Sequence, residues 1–174
     1  MTVSAMAVAL GSLFMVLGAV FEALDLTAAA LASLVVAVIY VEIGSPYTFL
    51  VWICTTLVTG LLYPGSAMWL MYLLMFGIFP IAKGYIERLP RGVWLIIKLL
   101  FGNIMMGGVM LGCQFILGLP IVEEDGFFGL PVTAVYIILW VMINVAVVLY
   151  DIFLTVLMRF YMIKLHPVFK KLLK

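Results

Sequence analysis

The stretch PVTAVYIILWVMINVAVVLYDIFLTVLMRFY, residues 131–161, decides the fold class of this chain. Asp151 and Arg159 are its only charged residues, and no glycine or internal proline interrupts it. About 20 apolar residues, at about 1.5 Å per residue, cross a bilayer core about 30 Å thick. The stretch therefore predicts a transmembrane helix, and its length predicts that the helix tilts or projects into water.

The composition extends this interpretation to the whole chain. Of the 174 residues, 68% are hydrophobic and 10% are charged, and the mean hydropathy is +1.37. Soluble domains carry about 45–50% apolar and about 25% charged residues, so a chain of this composition needs lipid as its solvent. No polar stretch is long enough to form a soluble domain, and we expect residues 1–174 to be a single transmembrane domain.

Glycine, proline and polar residues divide the chain into six predicted spans. Their approximate bounds are residues 4–23, 26–43, 47–62, 66–82, 92–119 and 131–161. Other divisions of residues 26–82 are open. Pro80 is expected to loosen the last turn of the fourth span. The predicted fold is an all-α membrane protein, a bundle of six transmembrane helices.

The charges indicate how this bundle lies in the membrane. All the basic residues fall in two groups that six spans place on one side: Lys83, Arg88, Arg91, Lys98, Arg159, Lys164, Lys170, Lys171 and Lys174. Basic residues in short loops are retained in the cytoplasm. Both termini are therefore predicted to be cytoplasmic, in a multi-pass protein of the cell (inner or plasma) membrane. The acidic residues Glu22, Asp25 and 123–125 then lie outside.

Small residues are concentrated in the first span, at Ala5, Ala7, Ala9, Gly11 and Gly18. Helices in lipid associate through close packing, and small side chains allow their backbones to approach. The pair Ala5-x-x-x-Ala9 therefore either packs inside the bundle or forms a docking face for another membrane subunit.

Polar residues inside a span are costly and are candidates for function. At about 100° per residue they form one stripe on each of the last two spans. The stripes contain Asn103 and Gln114 on the fifth span, and Thr133, Trp140, Asn144, Asp151 and Thr155 on the sixth. Asn144 and Gln114 either form interhelical hydrogen bonds or line a ligand site. Asp151 needs a partner at its depth, and Lys98 is the expected one, in a structural ion pair rather than a proton relay.

The sequence lacks the patterns that are typical of enzymes. It has one histidine, His166, and neither Cys54 nor Cys113 has metal-ligand spacing. Catalytic serine motifs and phosphate-binding loops are missing as well. We therefore expect no catalytic residues, no metal, no cofactor and no nucleic-acid partner, and any use of ATP would require a separate subunit.

Three local elements carry a resemblance to a known family. They are Ala5-x-x-x-Ala9, Leu24-Asp25-Leu26 and the segment TGLLYPG at residues 59–65. With six short spans and two cytoplasmic termini, the chain resembles the substrate-binding S components of bacterial energy-coupling factor transporters. The histidine-bearing N-terminus of the cobalt and nickel members is missing, so the resemblance does not imply a metal ion as the ligand.

The resemblance implies a division of roles along the chain. Ala5 and Ala9 would dock on a membrane coupling subunit, which works with ATPases. Gln114, Trp140 and Asn144 would line an outward-facing pocket for a vitamin or another small solute.

The alternative is a scaffold that transports nothing. Rod-shape-determining membrane proteins of bacteria are similar in size and span count, and typically carry an acidic residue in a Gly-Leu-x-x-Asp context. Residues 60–63, GLLY, lack that aspartate. A transporter subunit needs a solvent-reachable outer cavity at Gln114, Trp140 and Asn144, whereas a scaffold would fill this space with side chains.

Overall fold

The computed structural model describes residues 2–21, 24–119, 131–164 and 166, with the side chain of Arg91 left out. The helices are α1 (Thr2–Val20), α2 (Asp25–Glu42), α3 (Ser45–Leu62), α4 (Ala67–Met71), α5 (Phe79–Ile86), α6 (Trp94–Phe115) and α7 (Val132–Lys164). A π-helical segment, Tyr72–Phe76, follows α4, and a short 3-10 turn, Arg91–Val93, precedes α6. These described residues form helices and no strand.

Six stretches of the described chain are long and apolar enough to span a membrane. Five are single helices, and the fourth, Ala67–Ile86, combines α4, the π-helical segment and α5. The predicted all-helical class is confirmed, as is the prediction of six segments that are long and apolar enough to span a membrane. Glu22, the acidic residues 123–125 and the lysines after residue 166 lie outside the described residues.

The spans alternate in direction, and side-chain contacts identify the residues that share an end. At one end, where α2 meets α3 and α5 meets α6, Glu42 of α2 contacts Tyr161 of α7. We call this the basic end, because Lys83, Arg88 and Lys98 belong to it. At the opposite end, α1 packs so closely on α2 that a Cβ added to Gly18 would lie 2.7 Å from the Ala28 Cβ.

Small residues hold the first three helices together. A Cβ added to Gly11 would lie 3.2 Å from Thr55 Oγ1 of α3, so this glycine allows α1 and α3 to approach. Ala29 and Ala32 of α2 are almost fully buried. Close packing of this kind replaces the hydrophobic driving force, which is missing between helices in lipid.

The fourth span is interrupted at its middle, and two neighbouring helices supply hydrogen bonds there. The Gly77 N–H donates to the Tyr72 carbonyl, 2.8 Å away, rather than to the Leu73 carbonyl, which would be its α-helical acceptor. The Trp52 indole of α3 donates to that Leu73 carbonyl at 3.1 Å.

Pro80 frees a second carbonyl, that of Phe76, because a proline has no N–H to donate four residues back. The hydroxyl of Tyr150 lies 3.2 Å from this oxygen and 2.6 Å from Ser33 Oγ. The expected position of the disturbance was wrong: Pro80 lies in the first turn of α5, and the irregular segment precedes it. A proline is compatible with the first turn of α5, because its missing N–H would have no acceptor within α5; the carbonyl that it leaves free belongs to the preceding π-helical segment.

Candidate functional site

Four charged side chains meet between α5, α6 and α7 at the basic end, and we call them the charge cluster: Lys83, Glu87, Lys98 and Asp151. The Lys98 Nζ lies 2.8 Å from Asp151 Oδ1 and 2.8 Å from Glu87 Oε1. The Lys83 Nζ lies 3.0 Å from Glu87 Oε1 and donates a hydrogen bond to Asp151 Oδ1. Each lysine therefore contacts both carboxylates.

The spacing of residues on two helices builds most of this arrangement. Lys83 and Glu87 are four residues apart at the end of α5 and so share one face. Asp151 and Thr155 are four residues apart on α7, and the Thr155 hydroxyl lies 2.7 Å from the Lys83 Nζ. The Thr155 hydroxyl also donates to the Asp151 carbonyl at 2.8 Å, which orients it. Lys98, from α6, completes the cluster.

The two lysines are the most buried members of the charge cluster. Their side chains are 10% exposed for Lys83 and 5% for Lys98, against 21% for Asp151 and 35% for Glu87. Two cations balance two carboxylates, so the cluster as a whole is neutral. A charge leaves water at a high free-energy cost unless it is paired and hydrogen-bonded, and here every member is paired.

Glu87 lies just beyond the end of the fourth span. Partial burial raises the pKa of its carboxyl group, but hydrogen bonds from Lys98 and Lys83 and their positive charges lower it by more. The resulting pKa lies below the ordinary value of 4.5. Glu87 is therefore ionised at neutral pH, as the charge balance of the cluster requires.

The structure brings the predicted pair Lys98 and Asp151 together and adds two partners that the sequence interpretation missed. Lys83 was placed in the connection after the fourth span, but α5 continues to Ile86 and carries Lys83 in its last turn. The Lys83-x-x-x-Glu87 spacing was the available signal. It is a typical helical ion pair, and its position at a span end concealed it.

Asn144 takes part in a hydrogen-bonded pair between α6 and α7. Asn103 Nδ2 donates to Asn144 Oδ1 at 2.8 Å, and Asn144 Nδ2 donates to Asn103 Oδ1 at 3.2 Å. The two amides also donate to carbonyls of their own helices, those of Leu99 and Trp140. Of the two roles considered for Asn144, the structure displays the interhelical hydrogen bond.

Gln114 and Trp140 are both exposed, Trp140 by 38%. Among the described residues, no hydrogen bond or ring contact joins Gln114 to Trp140 or to Asn144, and the Asn144 side chain contacts Trp140 only at its backbone carbonyl. The connection between α6 and α7, residues 120–130, lies outside the described chain. A pocket formed by Gln114, Trp140 and Asn144 therefore stays a prediction.

The two faces of α1 have different surroundings. Ala7 and Gly11 are buried, and Gly11 faces Thr55 of α3. Ala5 and Ala9 are exposed, since a two-residue step turns a helix by about 200°. The described part of the bundle therefore leaves the Ala5-x-x-x-Ala9 face uncovered.

A cavity of about 240 Å³ opens beside the charge cluster, between α2, α5 and α7. Its walls are mainly apolar and consist of Ala37, Tyr40, Val41, Pro80, Lys83, Gly84, Glu87, Leu154 and Met158. Gly84 allows this close approach, because a Cβ at this position would lie 2.5 Å from the ring of Tyr40. The Tyr40 hydroxyl accepts a hydrogen bond from Arg88 at 3.3 Å.

A second polar contact joins α2 to α7 at the same end. The Tyr161 hydroxyl donates to Glu42 Oε1 at 2.7 Å, and His166 Nδ1 lies 2.7 Å from the same oxygen. This contact and the charge cluster together link α2, α5, α6 and α7 at the basic end.

Among the described residues, no three histidine, cysteine, aspartate or glutamate side chains are grouped as metal ligands would be. Comparison with known proteins finds no matching family model, no matching curated protein and no matching solved structure.

Proposed function

We propose that this protein is the substrate-binding membrane subunit of an uptake transporter for a vitamin or another small solute, similar to the S components of energy-coupling factor transporters. It would dock on a separate membrane coupling subunit that works with ATPases. The exposed pair Ala5 and Ala9 is the observation that carries this proposal. These two alanines form a small-residue face that the described bundle does not use for its own packing.

The neighbours of these alanines strengthen the inference. Met6 and Leu10 on the same helix are 72% and 45% exposed, as expected for large apolar side chains that face lipid. An alanine gains little by facing lipid, but it allows a second helix to approach the backbone closely. A partner helix is therefore the best-suited occupant of the Ala5 and Ala9 face.

In this proposal the basic end faces the cytoplasm, because basic residues near span ends are retained there. Both termini are then cytoplasmic, in a bacterial inner or plasma membrane. The solute would enter from the opposite side, at Gln114, Trp140 and Asn144.

A non-transporting scaffold is the second candidate, and the pair Asn103 and Asn144 favours it. Each of these amides forms hydrogen bonds with the other amide and with a backbone carbonyl of its own helix. Asn144 would have to release these bonds before it could donate to a solute.

Native mass spectrometry of the protein, purified gently from its own host, tests the proposal. We expect recovery with a membrane coupling subunit and an ATPase pair, or with a bound small solute. The double variant Ala5→Phe/Ala9→Phe should lose the coupling subunit, because two large rings would prevent close approach. The double variant Met6→Phe/Leu10→Phe places the same rings one position further along α1 and should retain it.

Equal recovery of the coupling subunit by both double variants would show that the Ala5 and Ala9 face does not dock on it. Recovery of the wild type with cell-wall or division proteins, and without solute, would favour the scaffold function over the transporter function.

A further inference from the structure

We propose that the cavity between α2, α5 and α7 is a lipid site, in which one acyl chain of an anionic phospholipid lies while Arg88 holds its phosphate. The proposal rests on the size and walls of the cavity, the charge of Arg88 and the position of both at the end of the span. It does not depend on the transport role.

The size of the cavity fits part of an amphiphile better than a whole solute. Its volume is about 240 Å³, whereas sites for complete small molecules usually measure about 300–1,000 Å³. Ala37, Pro80 and Leu154 provide apolar walls. Val41, at 41% exposure, also lines the cavity, so the space is open on one side for the rest of a lipid molecule.

Within the charge cluster, no charge is left over for a ligand, because two lysines balance two carboxylates. Arg88 differs from these lysines. It is exposed, and among the described residues no carboxylate forms an ion pair with it. An arginine has five N–H donors, and the hydrogen bond of Arg88 to the Tyr40 hydroxyl uses one of them. The remaining donors suit the oxygens of a phosphate.

Two aromatic rings hold the Arg88 guanidinium close to the cavity. Its central carbon lies 5.0 Å from the centroid of the Tyr85 ring, at a cation–π distance. Its hydrogen bond goes to the hydroxyl of Tyr40, which lines the cavity. Arg88 is therefore held against a residue that lines the cavity.

The vertical arrangement matches a lipid that stands in one leaflet. Arg88 follows Ile86, where the fourth span ends, and so lies at headgroup level. The cavity walls Ala37, Pro80 and Leu154 belong to the spans themselves and lie at acyl-chain depth. Anionic lipids are enriched in the cytoplasmic leaflet, and basic pockets between helices there bind their headgroups.

The test is native mass spectrometry of the protein in detergent after exchange into phosphatidylglycerol or phosphatidylcholine of the same chain length. The wild type should retain phosphatidylglycerol in preference to phosphatidylcholine. Arg88→Gln should weaken phosphatidylglycerol retention about fivefold, as expected for the loss of one basic contact. It should weaken phosphatidylcholine retention less, because the choline cation offsets the charge of the phosphate. Val41→Trp, which fills the opening, should reduce retention of both lipids.

Arg159→Gln is the matched control, since it removes the same charge from an exposed residue of α7. At about 100° per residue, Arg159 is turned away from Leu154 and Met158, which line the cavity. It should change retention much less than Arg88→Gln does. A thermal melt of each variant identifies any loss of folding.

Three results would overturn the proposal. Equal retention of the two lipids by the wild type would exclude an anion-selective site. If Arg88→Gln and Arg159→Gln had equal effects, the preference for phosphatidylglycerol would be due to the overall surface charge and not to a site at Arg88. Unchanged lipid retention by a folded Val41→Trp variant would show that the cavity does not hold the acyl chain.

Discussion

Replacing Asp151 by asparagine tests the charge cluster most directly. The substitution keeps the shape of the side chain and removes one negative charge. Lys83 and Lys98 would then share Glu87 alone, and a neutral cluster would carry one uncompensated positive charge. The substitution should therefore destabilise the protein.

The magnitude follows from the burial of the groups involved. Breaking a buried ion pair costs about 3–5 kcal/mol of unfolding free energy. We expect the lower end, about 3 kcal/mol, because the Asp151 side chain is 21% exposed and Glu87 still contacts both lysines. At about 2–4 °C per kcal/mol for a chain of this size, the Tm should fall by about 6–12 °C.

A thiol-reactive fluorophore provides the assay. Cys113 is buried and Cys54 is exposed, and neither forms a disulfide. In a Cys54→Ser background, the fluorophore reacts with Cys113 only as the bundle opens, so the melt of the detergent-solubilised protein reports tertiary unfolding.

A double-mutant cycle with Lys98→Met separates loss of charge balance from general damage. The single Lys98→Met leaves one uncompensated negative charge, whereas Lys98→Met/Asp151→Asn is neutral again and keeps the Lys83–Glu87 pair. The double variant should be more stable than the sum of the two single effects by about 0.5–3 kcal/mol. Strict additivity, or a Tm change below about 2 °C for Asp151→Asn, would refute the reasoning.

Three further outcomes are expected. Because the pKa of Glu87 is lowered in the folded state, the contribution of its carboxylate to stability is complete above the ordinary value of 4.5 and is lost as the pH falls through the folded pKa. Glu87→Gln should therefore make the Tm depend less on pH in that acidic range. The same acid dependence of the Tm in wild type and variant would contradict this. Gly18→Ala should cost about 1–3 kcal/mol, because its Cβ would lie 2.7 Å from a side chain of α2, whereas Gly107→Ala meets nothing within 4 Å and should be neutral; equal melts of the two variants would count against the packing of α1 on α2. Tyr150→Phe should lower the Tm less in a Pro80→Ala background than in the wild type, because the backbone N–H of the new alanine can donate to the Phe76 carbonyl. Equal losses of Tm in both backgrounds would show that the tyrosine hydroxyl does not stabilise this carbonyl.

The fold was largely predictable because its main determinant is local. Predicted spans and observed helices differ by a few residues at most ends, as for the third span, 47–62 against Ser45–Leu62. The larger differences are at α6, which ends at Phe115 rather than residue 119, and at α7, which continues to Lys164. Gly118, with a φ of 64°, takes a left-handed conformation that cannot continue α6. Hydropathy alone does not register such a backbone change.

The candidate site was predictable only in part. Asp151 requires a buried partner because an isolated charge is too costly in lipid, and this identified Lys98. Asn103 and Asn144 were recognised as polar stripes, but stripes on two helices do not show which residues face each other. The exposure of Ala5 beside the burial of Ala7 likewise depends on the rotation of α1 against α3.

The sequence by itself determined which segments enter the membrane, because the free energy of transfer into lipid is nearly additive along a short segment and needs no knowledge of neighbours. The tertiary structure decided which polar groups meet: the two lysines on Asp151, Asn103 on Asn144, and Tyr150 on the carbonyl freed by Pro80. Those contacts depend on the rotation and depth of each helix within the bundle. Rotation and depth are set by small residues on several helices at once, so no single segment encodes them.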